Sequence, residues 1–255
     1  GTLFTKAEGR NEMDSIWINA PAKINIGLDV IRRREDGYHE VKMIMQSIRL
    51  FDRLTLTKTK EPGIKLTTNL SYLPVNEDNL VYQSAKRLMD EFHLEGGLDI
   101  KLDKRIPVAA GMAGGSTDAA SCMLAINDLY GLGLSKRHLM KRGVKLGADI
   151  PYCILKGTAL SEGIGEKLST IPAMPSCYIL IAKPNIHVST KWVYTNLVLD
   201  EHTNHPDIDG MLASMKKRDL LSLSNQIGNV LESVTIPAYP QIAAIKECML
   251  QNGAL

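Results

Sequence analysis

The stretch Pro107-Val108-Ala109-Ala110-Gly111-Met112-Ala113-Gly114-Gly115-Ser116-Thr117-Asp118-Ala119 decides the reading of the fold. It joins an alternating run at residues 98–102, which predicts a strand, to a helical pattern over residues 116–130 that Ser116 or Thr117 is placed to cap. A passage of glycine and alanine from strand into helix lets backbone N–H groups surround phosphate oxygens, and the helix dipole adds to that field. The same residues also suit a tight helix entry packed on a sheet. The spacing of Gly111, Gly114 and Gly115 is not G-x-G-x-x-G, and no Gly-Lys-Ser/Thr follows to make a Walker A loop. The position directly after a strand favours the phosphate reading.

Working outward, alternation at residues 15–19, 24–31, 41–50 and 53–59 predicts strands of a mixed or antiparallel sheet, interrupted by the turn Arg34-Glu35-Asp36-Gly37. Residues 79–92 place Leu80, Ala85, Leu88 and Phe92 at helical spacing. A helix over 135–146 should end at Gly147, with Asp149-Ile150-Pro151 turning the chain out of helix geometry. Beyond Gly157 the pattern is strand, the turn Glu162-Gly163-Ile164-Gly165, then strand. A further strand is expected at 177–182, followed by helices at 189–197, 219–226 and 239–251. The class is α+β, with 13–172 and 173–255 as the two domains and the Pro172 to Pro175 region as the boundary. Residues 1–12 have neither a basic start nor an apolar stretch and read as a cloning remnant ahead of Met13.

The 255 residues are 44% hydrophobic and 23% charged, an ordinary globular balance that excludes disordered and collagen-like classes. Thirty Lys and Arg against 28 Asp and Glu give a net charge of +2, so no general attraction to nucleic acid or anionic membrane is expected. No apolar run approaches the roughly 20 residues of a membrane helix, and a soluble protein is expected. Cys122, Cys153, Cys177 and Cys248 lack C-x-x-C spacing, which reads as reduced core thiols in a cytosol rather than a zinc site.

Four groups of side chains could carry chemistry. Asp149, held in a turn, can accept a proton from a hydroxyl, although a turn Asp standing alone is more often merely solvated. Lys23, in Pro21-Ala22-Lys23-Ile24-Asn25, lies among apolar residues. Paired with Asp149 it would place positive charge beside an attacking oxygen. Asp36-Gly37-Tyr38-His39 presents a ring and an imidazole that could hold a flat heterocycle or form a packed hairpin corner. Trp192 and Tyr194 are either core or a second wall of such a slot. His202 and His205 read as solvated loop histidines, and no Ser-His-Asp order or G-x-S-x-G elbow supports acyl transfer.

Taken together and in this order, Pro21 to Asn25, Asp36 to His39, Pro107 to Ala119 and Leu146 to Pro151 resemble the GHMP small-molecule kinases, from about Ile16 to the C-terminus. The resemblance implies a two-domain fold, with an N-terminal ATP-binding domain like the second domain of ribosomal protein S5 and a ferredoxin-like α/β C-terminal domain. It implies Asp149 as general base with Lys23 as its partner, Asn25 near the substrate, and Tyr38, His39 and Tyr194 around a cytosine. It places Asn79 near the adenine and wraps the ATP phosphates with Pro107, Val108, Ala109, Ala110, Gly111, Met112, Ala113, Gly114, Gly115, Ser116 and Thr117.

Mg²⁺ is expected with ATP, with the hydroxyls of Ser116 and Thr117 as candidate ligands. The Lys, Gly-Tyr-His and Gly-Ala-Asp motifs imply the branch that phosphorylates the 2-hydroxyl of cytidine diphosphate methylerythritol in non-mevalonate isoprenoid synthesis, in a bacterial cytoplasm. A mevalonate-pathway, homoserine or sugar kinase would need no aromatic slot. A nucleotide-binding module without catalysis would need neither Lys23 nor Asp149.

Two departures from the family carry expectations of their own. The loop reads alanine at 109, 110 and 113 where relatives often carry glycine, which is harmless while φ stays negative and should weaken nucleotide binding if φ turns positive. Asn252-Gly253-Ala254-Leu255 resembles the residues just before the family's last glycine-rich motif. The resemblance therefore implies a truncated second domain, with an exposed sheet edge and an incompletely closed substrate end.

Overall fold

The computed structural model describes residues 4–6 and 13–255, and the expectation that residues 1–12 are a remnant lies for the most part outside them. The chain divides into two compact units, one comprising Gly1–Lys23 and Ser47–Lys156, the other Ile24–Gln46 and Gly157–Leu255. This differs from a split at residue 172. The first unit contains strand β1 (Phe4–Lys6) and the outer parts of two 21-residue strands, β2 (Met13–Arg33) and β3 (His39–Thr59). The four short alternating runs expected from sequence are thus two long strands. Each crosses from one unit to the other, so neither unit is a continuous segment.

The first unit continues with β4 (Gly63–Thr68), α1 (Leu80–Glu91), β5 (Gly97–Asp103), α2 (Gly114–Leu129), α3 (Lys136–Gly143) and α4 (Ile150–Leu155). β5 pairs antiparallel with β3 from Arg53↔Asp103 to Thr59↔Gly97, and parallel with β4, the two being joined through α1. Along β5, Leu98, Ile100 and Leu102 are buried while Asp99 and Lys101 are exposed, which is the period-2 pattern of a strand with one face on a core. α1 buries Val81, Ala85, Leu88 and Met89, one face of a 3.6-residue period, and starts where Asn79 Oδ1 accepts from the Val81 N–H at 2.9 Å. α2 is buried along most of its length. Its Gly, Ala and Ser content lets neighbouring elements approach the backbone closely.

The second unit holds the remainder of β2 and β3, the hairpin β6 (Thr158–Gly163) and β7 (Lys167–Thr170), α5 (Thr190–Asn196), α6 (Ile208–Lys217), α7 (Leu220–Ser224), β8 (Gly228–Asn229), α8 (Glu232–Ala238) and α9 (Gln241–Gln251). β3 pairs with β6 from Val41↔Gly163 to Gln46↔Thr158, and β2 pairs parallel with β8 at Gly27↔Gly228. Ile26 and Ile44 pack with Ile208, Met211, Met215 and Leu223. Met174 joins that cluster, and the Pro172 to Pro175 region lies within this unit.

Several expectations from sequence are corrected here. Residues 177–182 form no strand: among the described residues they have no ladder partner, and Tyr178 and Leu180 are exposed. An apolar run without a neighbour to take its N–H and C=O groups does not become a strand. Cys177 in that run and Cys248 on α9 are exposed rather than core thiols, whereas Cys122 and Cys153 are buried. α6 and α8 went unrecognised. His205 is not simply solvated, because its Nδ1 lies 2.7 Å from Oδ1 of buried Asp29. Among the described residues, no helix is long and apolar enough to cross a membrane.

Gly27 shows how tightly the second core is packed. A Cβ there would lie 2.5 Å from Met211 Sδ and 2.7 Å from Ile208 Cδ1. Gly27→Ala should therefore cost about 1–2 kcal/mol in a urea melt. The Gly27→Ala/Met211→Ala double variant should cost less than the sum of the two single variants, because the same atoms are in conflict.

Candidate active site

In the first unit the loop between β5 and α2 begins and ends on fixed points. Asp52, with no exposed surface, accepts the backbone N–H groups of Arg105 and Ile106 on one oxygen, the second at 2.8 Å. Met112 buries its side chain against Ala22 and Ile106, and its carbonyl accepts the Lys23 N–H at 3.2 Å. The loop is thereby tied to β2 at the residue that carries the candidate lysine.

Neither Ser116 nor Thr117 caps α2. The cap is Ala113, in the left-handed region at φ 56, and Ala109 is there as well at φ 55. The condition under which alanine would be harmless is not met, and each position stores strain that glycine would not. The helix starts at Gly114, with the Thr117 N–H donating to the Ala113 carbonyl at 2.8 Å. The N–H groups ahead of that first bond point out of the helix end.

Asp149 is also placed differently from its sequence reading. Pro151 does not expel the chain from helix geometry but sits in the first turn of α4, where its missing N–H is no loss, and Asp149 is the N-cap residue. Among the described residues, no N–H of α4 is capped by the Asp149 side chain, so its carboxylate is not spent on its own helix. Its charge acts on Lys23. Burial lowers the Lys23 ammonium below the ordinary lysine value, and the negative charge of Asp149 works in the opposite direction. Cys153, one turn into α4, is pushed up to about 12 by burial and by Asp149, against Lys23 and the Thr117 hydroxyl, so it stays a neutral thiol.

Thr117 is wholly buried, whereas Ser116 is half-buried, and its Oγ would lie 4.0 Å from a Cβ on Gly147. The starts of α2 and α4 therefore adjoin. Leu80 Cδ1 would lie 3.9 Å from a Cβ on Gly115, which brings the start of α1 to the same place. Asn79 stands there with its amide already engaged, Oδ1 by Val81 and Nδ2 by the Pro74 carbonyl at 2.9 Å.

The second unit carries Asn25, Tyr38, His39 and Tyr194. Asp36 Oδ1 accepts the Tyr38 N–H at 3.1 Å, and the Arg34 N–H donates to the Tyr38 carbonyl at 2.7 Å; Gly37 at φ 85 closes this turn. The His39 and Tyr194 rings meet at 5.1 Å and 43°. Burial and the Arg33 charge lower His39 below the ordinary histidine value, which favours the neutral imidazole, a donor on one nitrogen and an acceptor on the other. Tyr194 leans on the cluster of Leu28, Val30, Val41 and Val230, while Tyr38 is 61% exposed. Trp192 meets Tyr239 edge-on at 6.4 Å.

Residues 79–157 match the family described as the GHMP kinases N terminal domain, a span that includes α1, the loop, α2 and Asp149. A 4-diphosphocytidyl-2-C-methyl-D-erythritol kinase of Lachnoclostridium phytofermentans is 55% identical over 243 residues, covering 95% of this chain and 84% of that protein. This chain belongs to the 4-diphosphocytidyl-2-C-methyl-D-erythritol kinases. The kinase of the same name from Lachnospira eligens is 53% identical with the same coverage. A crystal structure of a 4-(cytidine 5'-diphospho)-2C-methyl-D-erythritol kinase superimposes with a TM-score of 0.76 at 28% identity, covering 93% of this chain and 83% of that one. A homoserine kinase from Cytophaga hutchinsonii, at 21% identity and a TM-score of 0.69, shares the fold. The fold is the mixed α+β, two-domain GHMP kinase fold.

Residues that sequence reasoning did not single out include Cys153 beside the lysine and aspartate, and the carboxylate of Asp52 under the loop. Asp52 stands 53 residues before Arg105 in the chain, so nothing in the loop's own sequence points to it.

The left-handed alanines give a direct test of loop strain in this 4-diphosphocytidyl-2-C-methyl-D-erythritol kinase. An L-residue in this region costs roughly 1–2 kcal/mol, and glycine's greater freedom when unfolded returns part of the gain. Ala113→Gly is expected to stabilise the protein by about 0.5–1 kcal/mol and to tighten ATP binding. A thermal melt and a nucleotide titration check this, and a lower midpoint would contradict it.

Proposed function

We propose that the chain transfers the γ-phosphoryl group of ATP to the 2-hydroxyl of 4-diphosphocytidyl-2-C-methyl-D-erythritol, giving the 2-phosphate and ADP in non-mevalonate isoprenoid synthesis. The observation that carries this reading is the coupling of Lys23 to Asp149 in the unit that also holds the loop and the start of α2. Phosphoryl transfer asks a protein chiefly for position and charge, and these residues supply both.

In this mechanism Asp149 accepts the proton of the 2-hydroxyl as its oxygen bonds to the γ-phosphorus. The bond from that phosphorus to the β–γ bridging oxygen breaks, and ADP leaves. The Lys23 ammonium beside the attacking oxygen favours its alkoxide character. Backbone N–H groups of the loop and the positive end of α2 take up phosphate charge. Magnesium neutralises phosphate oxygens when bound with the nucleotide. Ser116, a neutral oxygen donor at the helix start, suits a cation whose other ligands are phosphates and water, and it suits that role better than inward-facing Thr117. In the second unit, Tyr38, His39 and Tyr194 are assigned to the cytosine, with the neutral imidazole reading its polar edge, and Asn25 to the substrate's polar groups.

ADP release tests the substrate assignment, with cytidine diphosphate methylerythritol measured against mevalonate, homoserine and galactose. Turnover confined to the first is expected, and equal or better turnover of another alcohol would contradict it. Asp149→Asn should bind ATP as the parent does and lose about 10²- to 10⁴-fold in turnover. Unchanged turnover would remove Asp149 from the mechanism.

A further inference from the structure

Beneath the loop lies a buried triad that the transfer mechanism does not use. Lys104, its side chain 4% exposed, donates through Nζ to Asp52 Oδ2 and to Asp118 Oδ2, the latter at 2.8 Å. Asp52 and Asp118 are fully enclosed. Lys104 is itself held by Asn69, whose Oδ1 accepts the Lys104 N–H at 2.7 Å and whose Nδ2 donates to the Lys104 carbonyl at 3.0 Å. Asp52 fixes the N–H groups of Arg105 and Ile106, where the loop begins. Asp118 sits in α2, just past where the loop ends. Lys104 Nζ would be 3.1 Å from a Cβ on Gly114, the first helical residue, so the ammonium lies directly under the junction.

We propose that Asp52, Lys104 and Asp118 form a clamp that joins the two ends of the phosphate loop, making Lys104 and Asp118 positioning residues for ATP rather than groups that touch the reacting atoms. The clamp accounts for an otherwise costly backbone: two alanines with positive φ persist between its jaws because both loop ends are over-determined. Asp118 Oδ1 has no hydrogen-bond partner among the described residues, so Lys104 is the contact that holds this side chain in place. The proposal rests on the ATP site being where the kinase reading puts it.

The test compares Asp118→Ala, which opens the clamp, with Asp118→Asn, which keeps its shape and its hydrogen bond to Lys104 while leaving the Lys104 and Asp52 charges balanced. Binding of a fluorescent ATP analogue is read without the alcohol, alongside the KM for ATP, the KM for the alcohol and kcat. Asp118→Ala should weaken nucleotide binding and raise the KM for ATP at least 10-fold while the KM for the alcohol stays within twofold, and Asp118→Asn should recover the parent's nucleotide binding to within threefold. If Asp118→Ala does not fold, Asp118→Ser, too short to reach Lys104, takes its place with the same outcomes. A folded Asp118→Ala that binds nucleotide as the parent does overturns the clamp, as does an Asp118→Asn that is equally damaged. A parent protein that binds no nucleotide overturns the kinase reading and the clamp with it.

Discussion

A carboxylate with no exposed surface must find donors within the protein, and Asp52 finds three: two consecutive backbone N–H groups on one oxygen and the Lys104 ammonium on the other. Removing one member of such a buried pair costs about 3–5 kcal/mol, because the survivor keeps its charge without a partner. The chain leaving β5 therefore has little choice of direction. From Ile106 it enters the loop, buries Met112 against Ala22, and reaches α2 through a left-handed alanine. The exposed N–H groups at the start of α2, the tie from Met112 to Lys23, and the approach of Gly147 to Ser116 all follow from that path.

The electrostatics of Lys23 and Asp149 depend on what surrounds them. Burial lowers the Lys23 ammonium below the ordinary lysine value, and the Asp149 carboxylate opposes that tendency. Cys153 could have competed for the same charges, but its thiol is held at about 12 and remains neutral. The Asp149 side chain caps none of the α4 start, where Pro151 has no N–H in need of a partner.

Much of this was legible from the residues. The apolar stripe over residues 79–92 specifies an amphipathic helix, and the structure has it at Leu80–Glu91, with Asn79 as its cap. A small-residue run between strand and helix specifies a close-packed loop into a helix start, and α2 begins there. Local pattern failed where distant partners decide the outcome. Alternation broken near Pro21 and near Phe51-Asp52 suggested separate strands, but pairing on both sides carries β2 and β3 straight through. Residues 177–182 are an uninterrupted apolar run yet have no ladder partner among the described residues. Ala113 gave no sign of a left-handed cap, since the residue type argues against it. The ties from Lys104 to Asp52 and Asp118 span 52 and 14 residues, beyond any periodicity.

The central claim is that the loop and the first turn of α2 receive the nucleotide phosphates through their backbone. The most direct measurement is a residue-resolved map of backbone amide chemical shifts as a non-hydrolysable ATP analogue is added to the full chain. The largest shifts should fall on the N–H groups of residues 109–116, moving downfield as they meet phosphate oxygens, with smaller shifts at residues 79 and 80. A titration that leaves residues 109–116 unmoved while other parts of the chain respond would contradict the account.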